Sequence, residues 1–297
     1  MVVFVQQERE GAHMLSISIL LVLSSGLAHA VWNLFTKKSE NKMAFLWLIT
    51  LPTTVILLPV LIWELMHVQL TWSLVLFLFM SFFFQGCYTL LISKAYTYGD
   101  ISQVYPIMRG TGTLLIPFFS AIFFHEYLSV PGWLGVICIV IGVFAISGMI
   151  GTDRQAQPVN PLALRYAFAV GLCITGYTLT DKQIVQQLSP FALLEITNFA
   201  CLIVAGGFVW KKGLIRREWQ KNWRTIVLGA VLSPGSYLLF LFAMTLAPLA
   251  AIAPIREVST VFGTLLGVFL LKERQRVWRL SMSLMITIGI ISIAVWG

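Results

Sequence analysis

The sequence predicts an all-α polytopic membrane protein: ten transmembrane helices arranged as two inverted five-helix repeats. Three observations carry this. The first is composition: 58% of the 297 residues are hydrophobic and 11% charged, with mean hydropathy +0.87, far from the roughly 45–50% apolar and 25% charged usage of soluble domains. The second is an internal repeat. AYTYGDISQVYPIMRG from Ala95 returns as AMTLAPLAAIAPIREV from Ala243, with Ala95, Thr97, Pro106 and Ile107 matched by Ala243, Thr245, Pro254 and Ile255 at a constant spacing of 148 residues, half the chain. The third is charge placement: of 20 Lys and Arg, 16 fall in alternate loops.

A spanning helix needs about 20 mostly apolar residues to cross roughly 30 Å of hydrocarbon. Ten segments qualify: 15–35, 43–63, 72–97, 101–124, 130–150, 162–185, 189–210, 224–246, 249–271 and 277–296. The resulting organisation is an N-terminal tail (1–14), a first repeat (15–150), a linker (151–161) and a second repeat (162–297). The tail carries no helical stripe, and Met14 is an alternative start. The run before Ala28-His29-Ala30 imitates a signal peptide with a small-x-small cleavage site, but the residues ahead of it are net negative rather than basic. Moreover GLAHAVWNLFTKK from Gly26 is matched by GLCITGYTLTDKQ from Gly171, and a cleaved leader has no reason to be repeated.

Little chain remains for loops, so any function resides within the bundle. Cys87, Cys138, Cys173 and Cys201 each stand alone in an apolar segment, without the paired spacing of a metal or redox site. The net charge of +8 sits in the loops, where membrane topology explains it without nucleic acid. By the positive-inside rule the basic side is cytoplasmic, and both termini lie outside. An odd number of spans per half then forces the halves into opposite orientations, as in secondary transporters whose substrate site lies at the midplane between inverted repeats.

HAVWNLFTKKS in span 1, AYTYGDISQVYPIMRGTGTLL in spans 3 and 4, the glutamate of FFHEYLS and APIREVSTVFGTLLGVFLLKER in span 9 resemble the EamA family of the drug/metabolite transporter superfamily. The resemblance runs from Leu15 to the end, as two units divided near residue 155. It implies a ten-helix carrier of the inner membrane, commonly an exporter of small metabolites. Helices 3, 4, 8 and 9 with parts of 1, 2, 6 and 7 would surround a central cavity, and helices 5 and 10 would form scaffold. Many members of the family have cytoplasmic termini, whereas the loop charges here place both outside.

Helical spacing collects Ser102, Tyr105, Pro106, Arg109, Gly112 and Thr113 on one face of span 4. A polar stripe with a charge does not face lipid, so Arg109 needs a partner or a water-filled cavity. Glu257 occupies the equivalent position in span 9, which enters from the opposite surface, so the two meet near the midplane within reach of a salt bridge. One reading makes Arg109 the anchor of an anionic substrate group and Glu257 a proton or cation site. The other makes them a structural ion pair, or has Glu257 satisfied by Arg256. Pro106 and Pro254 each free a backbone carbonyl, consistent either with the discontinuous helices that line transporter sites or with plain kinks.

His29, Trp32 and Asn33 share a face of span 1 near the bilayer centre, as substrate or proton residues or as core. Gln85, Tyr88, Thr89, Ser93 and Tyr96 stripe span 3, as cavity wall or as packing. Glu195, near Asn198 in span 7, is a second proton-coupling candidate, and Gly263 with Gly267 form a GxxxG suited to close helix contact. Together these imply a secondary transporter for a small polar or amphipathic metabolite in the lipid bilayer, with proton coupling through Glu257 or Glu195. No cofactor, metal or nucleic acid is expected, and the protein is expected to be a monomer or weak homodimer. The rivals are a flippase of lipid-linked sugars and an intramembrane enzyme. The latter needs a nucleophile with a base or a metal cluster, neither of which the sequence offers. No G-x-x-x-x-G-K-[ST] motif provides for ATP.

Overall fold

The computed structural model describes the backbone of residues 2–99, 101–146, 160–210, 213–270 and 276–297, and side chains from Met14 onward within these, except at 93, 96, 101–103 and 276. These residues form eleven helices and no strand. They are α1 (Val2–Lys38), α2 (Lys42–His67), α3 (Trp72–Tyr98), α4 (Ile101–Phe123), α5 (Val130–Ile146), α6 (Pro161–Ile184), α7 (Pro190–Val209), α8 (Leu214–Leu246), α9 (Leu249–Ile255), α10 (Val258–Leu270) and α11 (Arg276–Trp296). Nine stretches of helix are long and apolar enough to span a membrane, α9 and α10 together making one of them. The tenth expected span, α5, is described over only 17 residues, and its expected continuation to residue 150 lies outside the described residues.

Local sequence sets the helix starts. Asn41, Thr71, Asn160 and Ser189 accept hydrogen bonds from the amides of Ala44, Leu74, Leu162 and Ala192, satisfying first-turn donors. Pro161 and Pro190 stand in the first turn, where a missing N–H costs nothing. Two helix starts differ most from expectation. The residues read as a tail continue α1 back to Val2, and α8 begins at Leu214, ten residues before the expected span. The added segment breaks at Asn222, where φ is −125° and ψ 21°. It is helical because it has a docking point: Glu218, buried, accepts from the Asn41 amide at 2.7 Å and from Asn222 Nδ2 at 2.6 Å.

The helices pack chiefly across the two halves. α1 pairs with α8 and α3 with α6; α2 pairs with α7, α5 with α11 and α4 with α9; α4 on α6 is mirrored by α10 on α1. Exchanging the halves returns each pairing as itself or its mirror, which is the signature of a pseudo-twofold axis. Two glycines at matched repeat positions permit the central approach. A Cβ at Gly26 would lie 2.4 Å from Val258 Cγ1, and one at Gly171 would lie 2.5 Å from the Thr111 Cβ. In the α5–α11 pair, Gly135 and Gly289 each face the other's carbonyl oxygen, 2.6 Å from where a Cβ would sit. The expected GxxxG contact is not made at Gly263, whose Cβ position opens onto empty space.

Both ends of the bundle are tied. On the face holding the ends of α2, α4 and α6, Lys182 Nζ donates to the carbonyls of Met244 (2.7 Å) and Ala247 (2.9 Å) and lies 3.6 Å from Glu126 Oε1. Glu126 Oε2 accepts from the Ala250 amide at 3.0 Å, at the start of α9. Glu64 accepts from the Ser189 amide at 2.8 Å and from the Ser189 hydroxyl. The basic face is held by Glu218, by Lys221 with Glu40 (3.1 Å), and by Tyr98 stacked on Tyr166.

Candidate functional site

Arg109 lies eight residues into α4 from its start at Ile101, and Glu257 eight residues past the start of α9 at Leu249. Their helices enter from opposite faces, and at 1.5 Å per residue both groups reach a depth of about 12 Å. There they meet: Arg109 Nη2 lies 2.6 Å from Glu257 Oε1, and Arg109 Nε donates to Oε2 at 3.4 Å. The two-point geometry is that of a guanidinium fork on a carboxylate. Thr260 Oγ1 donates to the same Oε2 at 3.1 Å. Both oxygens of Glu257 are thus occupied.

The helix carrying Glu257 is interrupted where the charges stand. α9 ends at Ile255, and α10 begins at Val258. Pro254, without an N–H, cannot donate to the carbonyl of Ala250, and the turn through Arg256 and Glu257 is held by the Glu257 amide on the Pro254 carbonyl at 3.0 Å. α4 has Pro106 at the equivalent position and runs through it unbroken. The repeat is therefore discontinuous in its second copy only.

Arg256 occupies the break. Its guanidinium carbon lies 4.2 Å from the centroid of Phe240 and 5.2 Å from that of Tyr237. The residue is 8% exposed, and its Nε is buried without a hydrogen-bond partner. Cation–π contacts stabilise a desolvated guanidinium by about 2 kcal/mol, while burying a charge costs several kcal/mol. The aromatic pair therefore offsets only part of the burial of Arg256. Tyr237 is engaged on its other side, where its hydroxyl donates to Asp181, which also accepts from Ser81 Oγ at 2.6 Å. Asp181 is fully buried in α6.

A cavity opens beside these groups, lined by Arg109, Gly112, Thr113, Thr178, Arg256 and Glu257, with Ile116, Ile174, Phe240 and Ala253 as its apolar wall. It encloses about 290 Å³ of empty space, open mouth included, and most of it is too narrow for guests larger than water. In this conformation it has room for about one or two waters, well short of the ~300–1,000 Å³ of small-molecule sites.

Of the other residues singled out by sequence, none lines this cavity. His29 stacks edge-on to Trp32 at 4.9 Å, and its Nδ1 is buried without a partner. Trp32 Nε1 donates to Ser236 Oγ at 3.3 Å, and Asn33 is half-buried on the same helix. Gln85 Nε2 donates to Thr197 Oγ1 at 3.4 Å, and Tyr88 packs edge-on to Tyr177 at 6.1 Å. Tyr105 is half-buried, and Pro106 and Pro254 are buried. The Tyr96 side chain lies outside the described residues. Glu195 is fully buried in α7, accepting from Asn198 Nδ2 at 3.5 Å, with Oε1 unpartnered. Among the described residues, no three His, Cys, Asp or Glu are grouped to hold a metal.

Sequence reasoning missed Asp181, Tyr237 and Phe240. Asp181 precedes Lys182 near a span end and reads as loop charge. The available signal was Ser81, an isolated hydroxyl in the apolar run FMSFFF that packs against it.

Comparison with known proteins agrees with this architecture. The sequence profile of the EamA-like transporter family matches residues 16–148 and 162–295, nearly the whole chain in two copies. A curated relative, the uncharacterized protein y4nH of Sinorhizobium fredii (strain NBRC 101917 / NGR234), is 31% identical over 64 residues. That is 22% of this chain and 55% of the relative, so the match spans about half of that protein's length. A solved crystal structure superposes with TM-score 0.70 at 16% identity, over 93% of this chain and 96% of the other, a likeness that speaks for the fold alone.

Proposed function

From membership of the EamA-like transporter family, to which this chain belongs, we propose that the protein is an inner-membrane secondary carrier that exports a small polar or amphipathic metabolite by alternating access. The observation that carries this reading is the Arg109–Glu257 ion pair, which bridges the two inverted halves at equal depth and forms one wall of the cavity. Ionisable groups inside spans mark transport pathways, and a site between inverted repeats is where rocking of one half against the other changes access. The ties on the two faces are separate sets of residues. Releasing Lys182, Glu126 and Glu64 opens one mouth, and releasing Glu218 from Asn41 opens the other.

In this reading Glu257 is the coupling group. A proton on its carboxylate removes the charge that holds Arg109, loosens the seam, and so links an inward proton to an outward solute. The basic loops are cytoplasmic and both termini external.

The test has two stages. Metabolites that become toxic on deletion of the gene, or tolerated on its overexpression, are identified first. Their flux is then measured in proteoliposomes with and without a pH gradient. A carrier moves the identified solute, and the Glu257→Gln variant loses the response to the gradient; an unchanged response removes Glu257 from coupling. Reconstituted protein that moves no water-soluble solute but translocates labelled lipid-linked sugar would replace this reading with a flippase.

A further inference from the structure

We propose that the cavity beside the ion pair is an anion subsite in which Arg256, rather than Arg109, receives a carboxylate of the transported solute; the transport part of this rests on the carrier reading above. The cavity wall carries two guanidiniums and one carboxylate. Glu257 is used up, with Oε1 on Arg109 Nη2 and Oε2 shared between Arg109 Nε and Thr260. Asp181, which reaches the Tyr237 hydroxyl beneath Arg256, is committed to Tyr237 and Ser81 and does not line the cavity. Arg256 therefore has no salt bridge among the described residues. It is more than nine-tenths buried, with Nε unpartnered.

The environment of Arg256 suits an anion. The guanidinium carbon lies over the rings of Phe240 and Tyr237, and the planar N–H fork of a guanidinium matches a carboxylate. A carboxylate placed there makes the cavity neutral. The rest of the wall defines the remainder of the ligand: Thr178 offers a hydroxyl, and Ile116, Ile174 and Ala253 offer an apolar surface. The solute class is a small organic acid with a short apolar body. Arg109 stays with Glu257 and serves the seam between the halves.

Acetate, a carboxylate with a single methyl group, probes the subsite, with acetamide as its uncharged isostere; the cavity as it stands has room for about one or two waters, so binding requires its wall to widen. Saturation-transfer NMR on the full-length protein in nanodiscs, at constant ionic strength, reads the two methyl signals. Acetate is expected to bind the wild type at least about tenfold more tightly than acetamide, the scale of one charge-assisted contact. Arg256→Gln should abolish the difference, and Arg256→Lys should retain part of it. Equal binding of acetate and acetamide to the wild type overturns the proposal. So does an undiminished acetate preference in Arg256→Gln shown by size exclusion to be folded. If that variant fails to fold, Arg256→Lys decides: its charge without the planar fork should weaken acetate severalfold, and unaltered affinity overturns the role of Arg256.

Efflux of the wild type's metabolite pool from proteoliposomes separates the two readings. Acetate binding with no solute flux leaves the anion subsite and removes the carrier. Flux confined to uncharged or cationic solutes keeps the carrier and removes the subsite.

Discussion

Arg109 and Glu257 are expensive singly and cheap together, and this makes their interdependence measurable. Removing one member of a buried ion pair typically costs about 3–5 kcal/mol, because the other is left charged without a partner. The two losses are unequal here. Arg109→Gln strands one carboxylate that keeps its bond from Thr260, whereas Glu257→Gln strands Arg109 in one cavity with the already unpaired Arg256. Thermal unfolding of the purified protein should therefore show Glu257→Gln as the less stable variant. The double variant should lose less than the sum of the singles, by ~1–3 kcal/mol of coupling; simple additivity would show that the pair does not form. Tyr237→Phe keeps the ring under Arg256 but deletes the hydroxyl on Asp181, and should cost ~1–3 kcal/mol for the unsatisfied carboxylate, read by the same unfolding measurement. The Arg109–Glu257 meeting was legible because an exact 148-residue spacing in an odd-span repeat places both at one depth. The isolation of Arg256 was not, because the adjacent Glu257 looked like its partner until the structure spent both oxygens elsewhere.

Among elements, matched glycines at 26 and 171 decide how closely the outer helices approach the central ones. Gly171→Val puts branched carbon into Thr111 and the Met108 carbonyl of α4, and Gly26→Val puts it into Val258 and Ser259 at the start of α10. Each should destabilise by ~1–3 kcal/mol or more, measured as a lower midpoint of thermal unfolding, while Gly263→Val, which faces open space, should be nearly neutral. A change at Gly263 as large as at Gly171 would contradict this packing. The contrast also shows what a motif omits: GxxxG spacing marks small residues on one face but not whether anything packs there. Helix identity was readable from apolar length. Helix extent was not, because Leu214 to Lys221 is too polar for a span and is helical only through the tertiary bond from the Asn41 amide to Glu218.

At the scale of the whole molecule, the proposed carrier cycle has the tethers on the two faces take turns, and one side chain holds much of the sparse, proposed external face. Lys182 joins the end of α6 to the end of α8 through two carbonyls and to Glu126, which in turn holds the start of α9. Hydrogen bonds to a charged group contribute about 1.5–3 kcal/mol each, so losing this hub should shift the balance toward the conformation open on that face by at least about tenfold. Labelling reads the shift directly. In a background lacking the four native cysteines, a Thr178→Cys reporter in the cavity wall should react with a membrane-impermeant thiol reagent added outside intact cells. Adding Lys182→Ala should speed that reaction about tenfold. The same cells carrying a C-terminal alkaline phosphatase should be active outside, since α11 ends on the face of Lys182. Labelling that accelerates only in inverted vesicles would place Lys182 and both termini on the cytoplasmic side and reverse the direction in which the two mouths open.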